Sequence, residues 1–139
     1  MSEYRDRITS LAERARDDRE SFDPPADPPD EELAVAYLRN GVGDVVSVYI
    51  DGRTAELARF DADEMATMER ALNEWVALYA RCYGYDIETE FTVREVAEMV
   101  LKTYDLRDTV QLLTQIPDPK AERVRRGENG IGAAKADRA

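Results

Sequence analysis

Between Met65 and Tyr83 the residues Met65, Met68, Leu72, Trp75, Val76, Tyr79, Cys82 and Tyr83 recur at spacings of three and four, and Gly84 follows at once. Only an α-helix gathers such spacings onto one face, and an apolar face this long must be covered by the rest of the chain. The run predicts a central helix around which the other elements assemble. Asp61 or Asp63 is placed to cap it, and Glu64 adds negative charge against its N-terminal dipole. At this spacing Trp75, Tyr79 and Tyr83, with Tyr85 just beyond, are core residues rather than a cofactor box.

The flanking segments predict the covering elements. Tyr4, Ile8, Leu11, Ala15 and Phe22 form a thin stripe, giving an amphipathic helix from about Glu3 to Glu20 that can dock on the body or on a partner. The stretch Asp23-Pro24-Pro25-Ala26-Asp27-Pro28-Pro29 reads as a stiff polyproline spacer. A short helix follows, capped by Asp27 or Asp30, with Leu33, Ala34, Tyr37 and Leu38 on its apolar side, and Asn40-Gly41 is its expected stop. From Val42 to Ile50, Val46, Val48 and Ile50 alternate with Val45, Ser47 and Tyr49, and Asp51-Gly52 is a hairpin-turn dipeptide. A β-hairpin is expected there. Its second strand would run from Arg53 to Phe60, although Ala55 to Ala58 suit the start of a helix equally well.

Beyond Gly84, Tyr85, Ile87, Thr89 and Phe91 alternate with acids, as in a short extended piece. Thr92 and Glu95 form a capping box for a helix whose apolar face is Val93, Val96, Ala97, Val100, Leu101 and Tyr104. A last short helix begins at Asp105 or Asp108, packs through Val110, Leu112 and Leu113, and ends at Pro117 and Pro119. The predicted fold class is therefore α+β with helix in excess. It has an N-terminal helix over residues 1–22, a linker over 23–29, a core of a β-hairpin on a small helical bundle over 30–117, and a tail over 118–139 expected to be disordered in isolation.

Charge and residue usage narrow the function. The chain of 139 residues has 30 acids against 19 bases, a net charge of −11, and its only lysines are Lys102, Lys120 and Lys135. The tail carries a net +2, which leaves −13 on residues 1–117. Such a body repels itself in dilute buffer and is relieved where molar salt cuts the Debye length to about 3 Å. Abundant Asp, Glu and Ala, scarce Lys, and the run Asn40 to Gly84 with Trp75, Val76, Ala77, Leu78, Tyr79, Ala80, Arg81, Cys82 and Tyr83 resemble small uncharacterised haloarchaeal proteins. That resemblance implies a halophilic setting and brings no activity with it. Nothing approaches the roughly 18 apolar residues of a membrane span, and the opening Ser2, Glu3, Tyr4, Arg5, Asp6 is not a secretory signal, so the expected location is the cytoplasm.

Histidine is absent and Cys82 is the only cysteine, which removes the usual general base, the usual metal ligand, disulfides and paired-thiol chemistry together. The acids Asp61, Asp63 and Glu64 fail as a calcium loop because Met65 and Ala66 stand where an oxygen ligand and a glycine are required. Gly127, Gly130 and Gly132 fail as a phosphate loop because Ala133 follows and the lysine comes only at 135. Residues 92–115 resemble a degenerate helix-turn-helix, but the reading helix would offer Gln111, Thr114 and Gln115 with Arg107 as its one base. The expectation is a noncatalytic protein-interaction or accessory module, without cofactor, specific metal or membrane. It would engage a protein partner or a second copy through Tyr4, Ile8, Leu11 and Phe22 and through Arg123, Arg125 and Arg126. The alternative is a transcription-associated DNA-binding protein, which this body charge disfavours; an enzyme built from carboxylates and arginines in a cleft stands third.

Overall fold

The structure is a computed structural model that describes residues 3–26, 30–54 and 60–116. The chain divides into two compact units, residues 1–109 and 110–139. The helices are α1 (Glu3–Ser21), α2 (Glu31–Tyr37), a π-helical turn (Leu38–Val42), α3 (Gly43–Thr54), α4 (Ala62–Cys82), α5 (Val93–Thr103) and α6 (Leu106–Thr114). Of the second unit, residues 110–116 are described: the end of α6, where the Thr114 hydroxyl donates to the Val110 carbonyl at 2.7 Å, and a turn with Gln115 in the left-handed region.

In the first unit α4 is the centre, with α1, α2, the π turn, α3 and α5 packed on it. Its apolar run forms as the spacing predicts. Asp61 caps it in a full box, its carboxylate accepting the Glu64 N–H at 2.8 Å while Glu64 accepts the Asp61 N–H at 2.9 Å. Trp75, Leu72, Leu78 and Tyr79 are fully buried. The α1 stripe lies on α4, burying Tyr4, Ile8, Leu11, Ala12 and Ala15. Arg5 binds Asp61 at 2.8 Å, tying α1 to the cap of α4. Residues 22–26 form no helix and 27–29 lie outside the described residues. Asp30 then caps α2 by accepting the Leu33 N–H, and its own N–H donates to the Cys82 carbonyl at 2.9 Å.

The predicted β-hairpin is not there, and no strand occurs among the described residues. Val42–Thr54, expected as a strand, a turn and the start of a second strand, instead belong to the π turn and α3, so the fold is helical rather than α+β. Burial shows why. A strand would bury Val46, Val48 and Ile50 and turn Val45 and Tyr49 outward; here Val42, Val45, Val46, Val48, Tyr49 and Gly52 are all buried. Asn40, Asp44, Ser47 and Asp51, spaced four, three and four apart, form the outer face. Tertiary cover from α1, α4 and α5 overrides the β-preference of the valines. Residues 55–59 of the expected second strand lie outside the described residues.

Gly41 and Gly52, read as a helix stop and a hairpin turn, serve close packing inside the helix. A Cβ on Gly41 would sit 2.3 Å from Cδ2 of Trp75, and one on Gly52 would sit 2.4 Å from Cζ of Phe60. The Phe60 ring stacks on Tyr49 at 6.1 Å and meets Tyr4 edge-on at 5.9 Å, joining α1 to α3.

Two titrating groups lie buried near Asp30. Burial first, then the Asp30 charge, pushes the Cys82 thiol from 9.0 up to about 12; burial first, with Asp18, Cys82 and Asp30 adding, pushes the Tyr37 hydroxyl from 10.0 to about 12. Both groups are neutral when protonated, so above their unfolded values the folded state holds protons that the unfolded state has lost. The stabilisation is full below pH 9 and is lost as pH rises from 9 towards 12. The urea midpoint is expected to hold steady to about pH 8 and fall steeply beyond about pH 9.5, with Cys82 inert to thiol reagents until unfolding. A midpoint flat to about pH 11 would contradict this burial.

Candidate functional site

Two constructions in the first unit place polar groups or exposed apolar groups with unusual care. One is the segment between α4 and α5. Along residues 86–91 exposure alternates: Ile87, Thr89 and Phe91 are half-buried while Asp86, Glu88 and Glu90 are exposed, which is the period of an extended chain. Asn73 of α4 latches it. Its Oδ1 accepts the Phe91 N–H at 2.9 Å and the Thr89 hydroxyl at 2.6 Å, while its Nδ2 donates to the Phe91 carbonyl at 2.9 Å and to the Glu69 carbonyl at 2.8 Å. The side-chain amide thus imitates the donor-acceptor pair of a neighbouring strand. Glu69 accepts the Val93 N–H at 3.3 Å, and Tyr85 donates its N–H to the Ala80 carbonyl at 3.0 Å.

A cleft of about 390 Å³ runs beside this segment, with Arg70, Glu74, Ala77 and Arg81 of α4 and Arg19 of α1 among its lining. Its ion pairs are long, Arg19 to Glu74 at 3.7 Å and Arg81 to Asp86 at 3.8 Å. Next to it Phe22, Pro24 and Tyr85 line a second cleft of about 310 Å³ that shares Arg81 and Asp86. The lining groups are suited to binding through charge and main chain. Among the described residues no three His, Cys, Asp or Glu side chains stand where they could hold a metal ion.

The second construction is the joint between α5 and α6. The capping box of Thr92 and Glu95 starts α5 as its sequence predicts, and Val93, Val96 and Ala97 bury its inner face. The helix ends on Tyr104, whose backbone is left-handed with φ 57°, and whose side chain is 89% exposed. Leu101, one turn earlier, is 56% exposed. Beneath them the joint is fixed by hydroxyls. Thr103 and Thr109, 2.9 Å apart, both reach the Asp105 carbonyl, and Asp105 caps α6 by accepting the Asp108 N–H at 2.9 Å. Arg107 turns inward and donates to the Tyr83 hydroxyl at 3.1 Å.

The residues singled out from the sequence are scattered among these features. Tyr4, Ile8 and Leu11 are core residues between α1 and the body, Phe22 is half-buried at the second cleft, and Arg123, Arg125 and Arg126 lie outside the described residues. Of the residues that organise the surface, Asn73 has no place among the sequence expectations, and Tyr104 enters them only on the apolar face of α5. Tyr104 falls in register with the expected apolar face of α5, but burial on that face ends before Leu101, and Tyr104 lies beyond the helix end on a left-handed turn; Asn73 gives no signal beyond a weak helix former inside an apolar run.

Residues 2–118 match a family model described as a domain of unknown function, DUF8055. The chain belongs to this family. The match begins just before α1 and ends past α6, so the DUF8055 region takes in both constructions. No curated protein and no solved structure matches the chain. No helix among the described residues of this DUF8055 domain is long and apolar enough to cross a membrane.

Proposed function

We propose that the protein is a noncatalytic interaction module of a salt-rich cytoplasm, with the end of α5 as its binding surface. Tyr104 carries the reading. The left-handed conformation costs an L-residue about 1 kcal/mol or more, and glycine adopts it without penalty. A tyrosine kept there with 89% of its surface in solvent recovers nothing by packing within the described fold. Strain of this kind is an argument for function, and exposed tyrosine beside leucine is what protein interfaces use as anchors. The hydroxyl-fixed joint next to them holds the backbone that carries Tyr104 before a partner arrives, which lowers the entropy cost of binding.

The test compares wild type with Tyr104→Gly in affinity purification from the source cells at native salt. Glycine relieves the backbone strain, so this variant should melt at the same temperature or a few degrees higher, about 1 kcal/mol more stable, while losing the protein that wild type retains. Identical partners with both forms would contradict the proposal.

The DNA-binding alternative draws support from α5 and α6 flanking a short break, as in a helix-turn-helix. Arg107 weighs against it, because the one base at the start of the reading helix is spent on Tyr83 and Asp108 stands in its first turn.

A further inference from the structure

The segment over residues 86–90 offers a main-chain edge that the other described residues leave open. Asn73 takes both main-chain groups of Phe91, and in an extended chain the N–H and C=O of a residue point to one side while those of its neighbours point to the other. The main-chain groups of Asp86, Glu88 and Glu90 therefore face away from the Asn73 latch. No hydrogen bond from the described residues reaches the main chain of 86–90. Three donor-acceptor pairs thus stand in a row, about 7 Å apart, on a segment latched from behind at Thr89 and Phe91.

We infer that this edge is a docking site for an extended, basic peptide segment of another protein, which adds to Asp86–Glu90 as a second strand. Charge selects that occupant. Asp86, Glu88 and Glu90 all project on the exposed side, so a paired strand places its alternate side chains directly beside three carboxylates, of which Asp86 has Arg81 at 3.8 Å and Glu88 and Glu90 have no ion pair among the described residues. Lysine or arginine at every second position meets them. A second copy of this segment, paired antiparallel about Glu88, would set acid against acid at every rung, the device by which edge strands repel their own kind. The cleft of about 390 Å³ beside the segment, with small Ala77 among its lining, leaves room for the intervening side chains of the added strand. Strand addition of this sort draws affinity from the main chain and specificity from alternate side chains. The inference concerns a different surface from Tyr104 and stands or falls separately.

The experiment titrates full-length, ¹⁵N-labelled protein with a capped Gly-Lys-Val-Lys-Val-Lys-Gly peptide and follows its amides by NMR across a KCl series. Saturable shifts centred on residues 85–91 are expected, weakening as salt rises. A peptide of the same charge, N-methylated at the amides that would pair, should bind at least roughly tenfold more weakly, because it keeps the attraction and loses the donors. Glu88→Lys, which changes an exposed side chain with no partner among the described residues, should weaken the lysine peptide roughly fivefold and favour its glutamate counterpart. Equal binding of the N-methylated peptide would reduce the effect to charge alone and overturn the inference. Shifts centred elsewhere, or none at millimolar peptide, would do the same, as would concentration-dependent shifts of residues 86–90 without peptide, which would make a second copy the occupant.

Discussion

Replacing Gly41 with alanine is expected to lower the unfolding free energy by about 2 kcal/mol, although the same change in an ordinary helix raises it. Two effects of opposite sign meet at this position. Helix propensity favours alanine over glycine by about 1 kcal/mol. Against it stands the indole face of Trp75, which a Cβ would approach to 2.3 Å at Cδ2 and 2.6 Å at two further ring atoms. The ring has nowhere to go, since Trp75 is 1% exposed, with Tyr37 packed at 5.7 Å and the Arg14 guanidinium over its ring at 5.7 Å. Overpacking a closed core of this kind costs about 3 kcal/mol, so the steric term wins. Trp75 is the only tryptophan, and its fluorescence reports the urea transition without labelling. Gly52→Ala is the control. It meets Phe60 at 2.4 Å, but that ring is only half-buried and can yield, so the midpoint should move by less than half as much. A Gly41→Ala midpoint at or above wild type would show that the helices do not approach as closely as the π turn requires.

The same glycine shows what the sequence withheld. Asn40-Gly41 and Asp51-Gly52 are turn signals when judged by neighbours in the chain, because glycine is free to leave the helical region. Inside the π turn and α3 that freedom is unused, and the missing side chain matters instead: Gly41 and Gly52 face aromatic rings 34 and 8 residues away. Local chemistry cannot tell these uses apart. The polar stripe Asn40, Asp44, Ser47, Asp51 was legible and is incompatible with a strand, yet the valines around it drew the opposite reading. Where one apolar face coincides with strong caps the sequence sufficed, as in α4 with Asp61 and Glu64 and α5 with Thr92 and Glu95. The Phe22 and Tyr85 cleft, the Asn73 latch and the exposure of Tyr104 depend on which elements become neighbours, and no periodicity encodes that.

Asn73 is where fold and surface are coupled most directly, and its replacement is expected to free the segment while leaving the bundle folded. In Asn73→Ala the Phe91 main chain and the Thr89 hydroxyl lose their three hydrogen bonds to one amide. The groups are half-buried and water can reach them, so the loss is about 2 kcal/mol rather than the sum of the separate bonds. Amide exchange at Phe91 and Val93 should accelerate by at least roughly tenfold more than at Leu72 or Val76, because the damage is local opening. Asn73→Asp separates the latch from simple packing. Aspartate nearly matches the shape and keeps the acceptor for Phe91 N–H, but when ionised it points an oxygen at the carbonyls of Phe91 and Glu69, where the amide donated. Burial against acceptors disfavours the charged form, so the folded carboxyl titrates above its unfolded value and stability is lost as pH rises through that window. The aspartate variant should therefore resemble alanine at neutral pH and recover towards wild type near pH 4, where the protonated oxygen again donates. Phe91 exchange unchanged in both variants would mean that α4 does not hold the segment, and the open edge at residues 86–90 would lose the rigid backing that makes it a template.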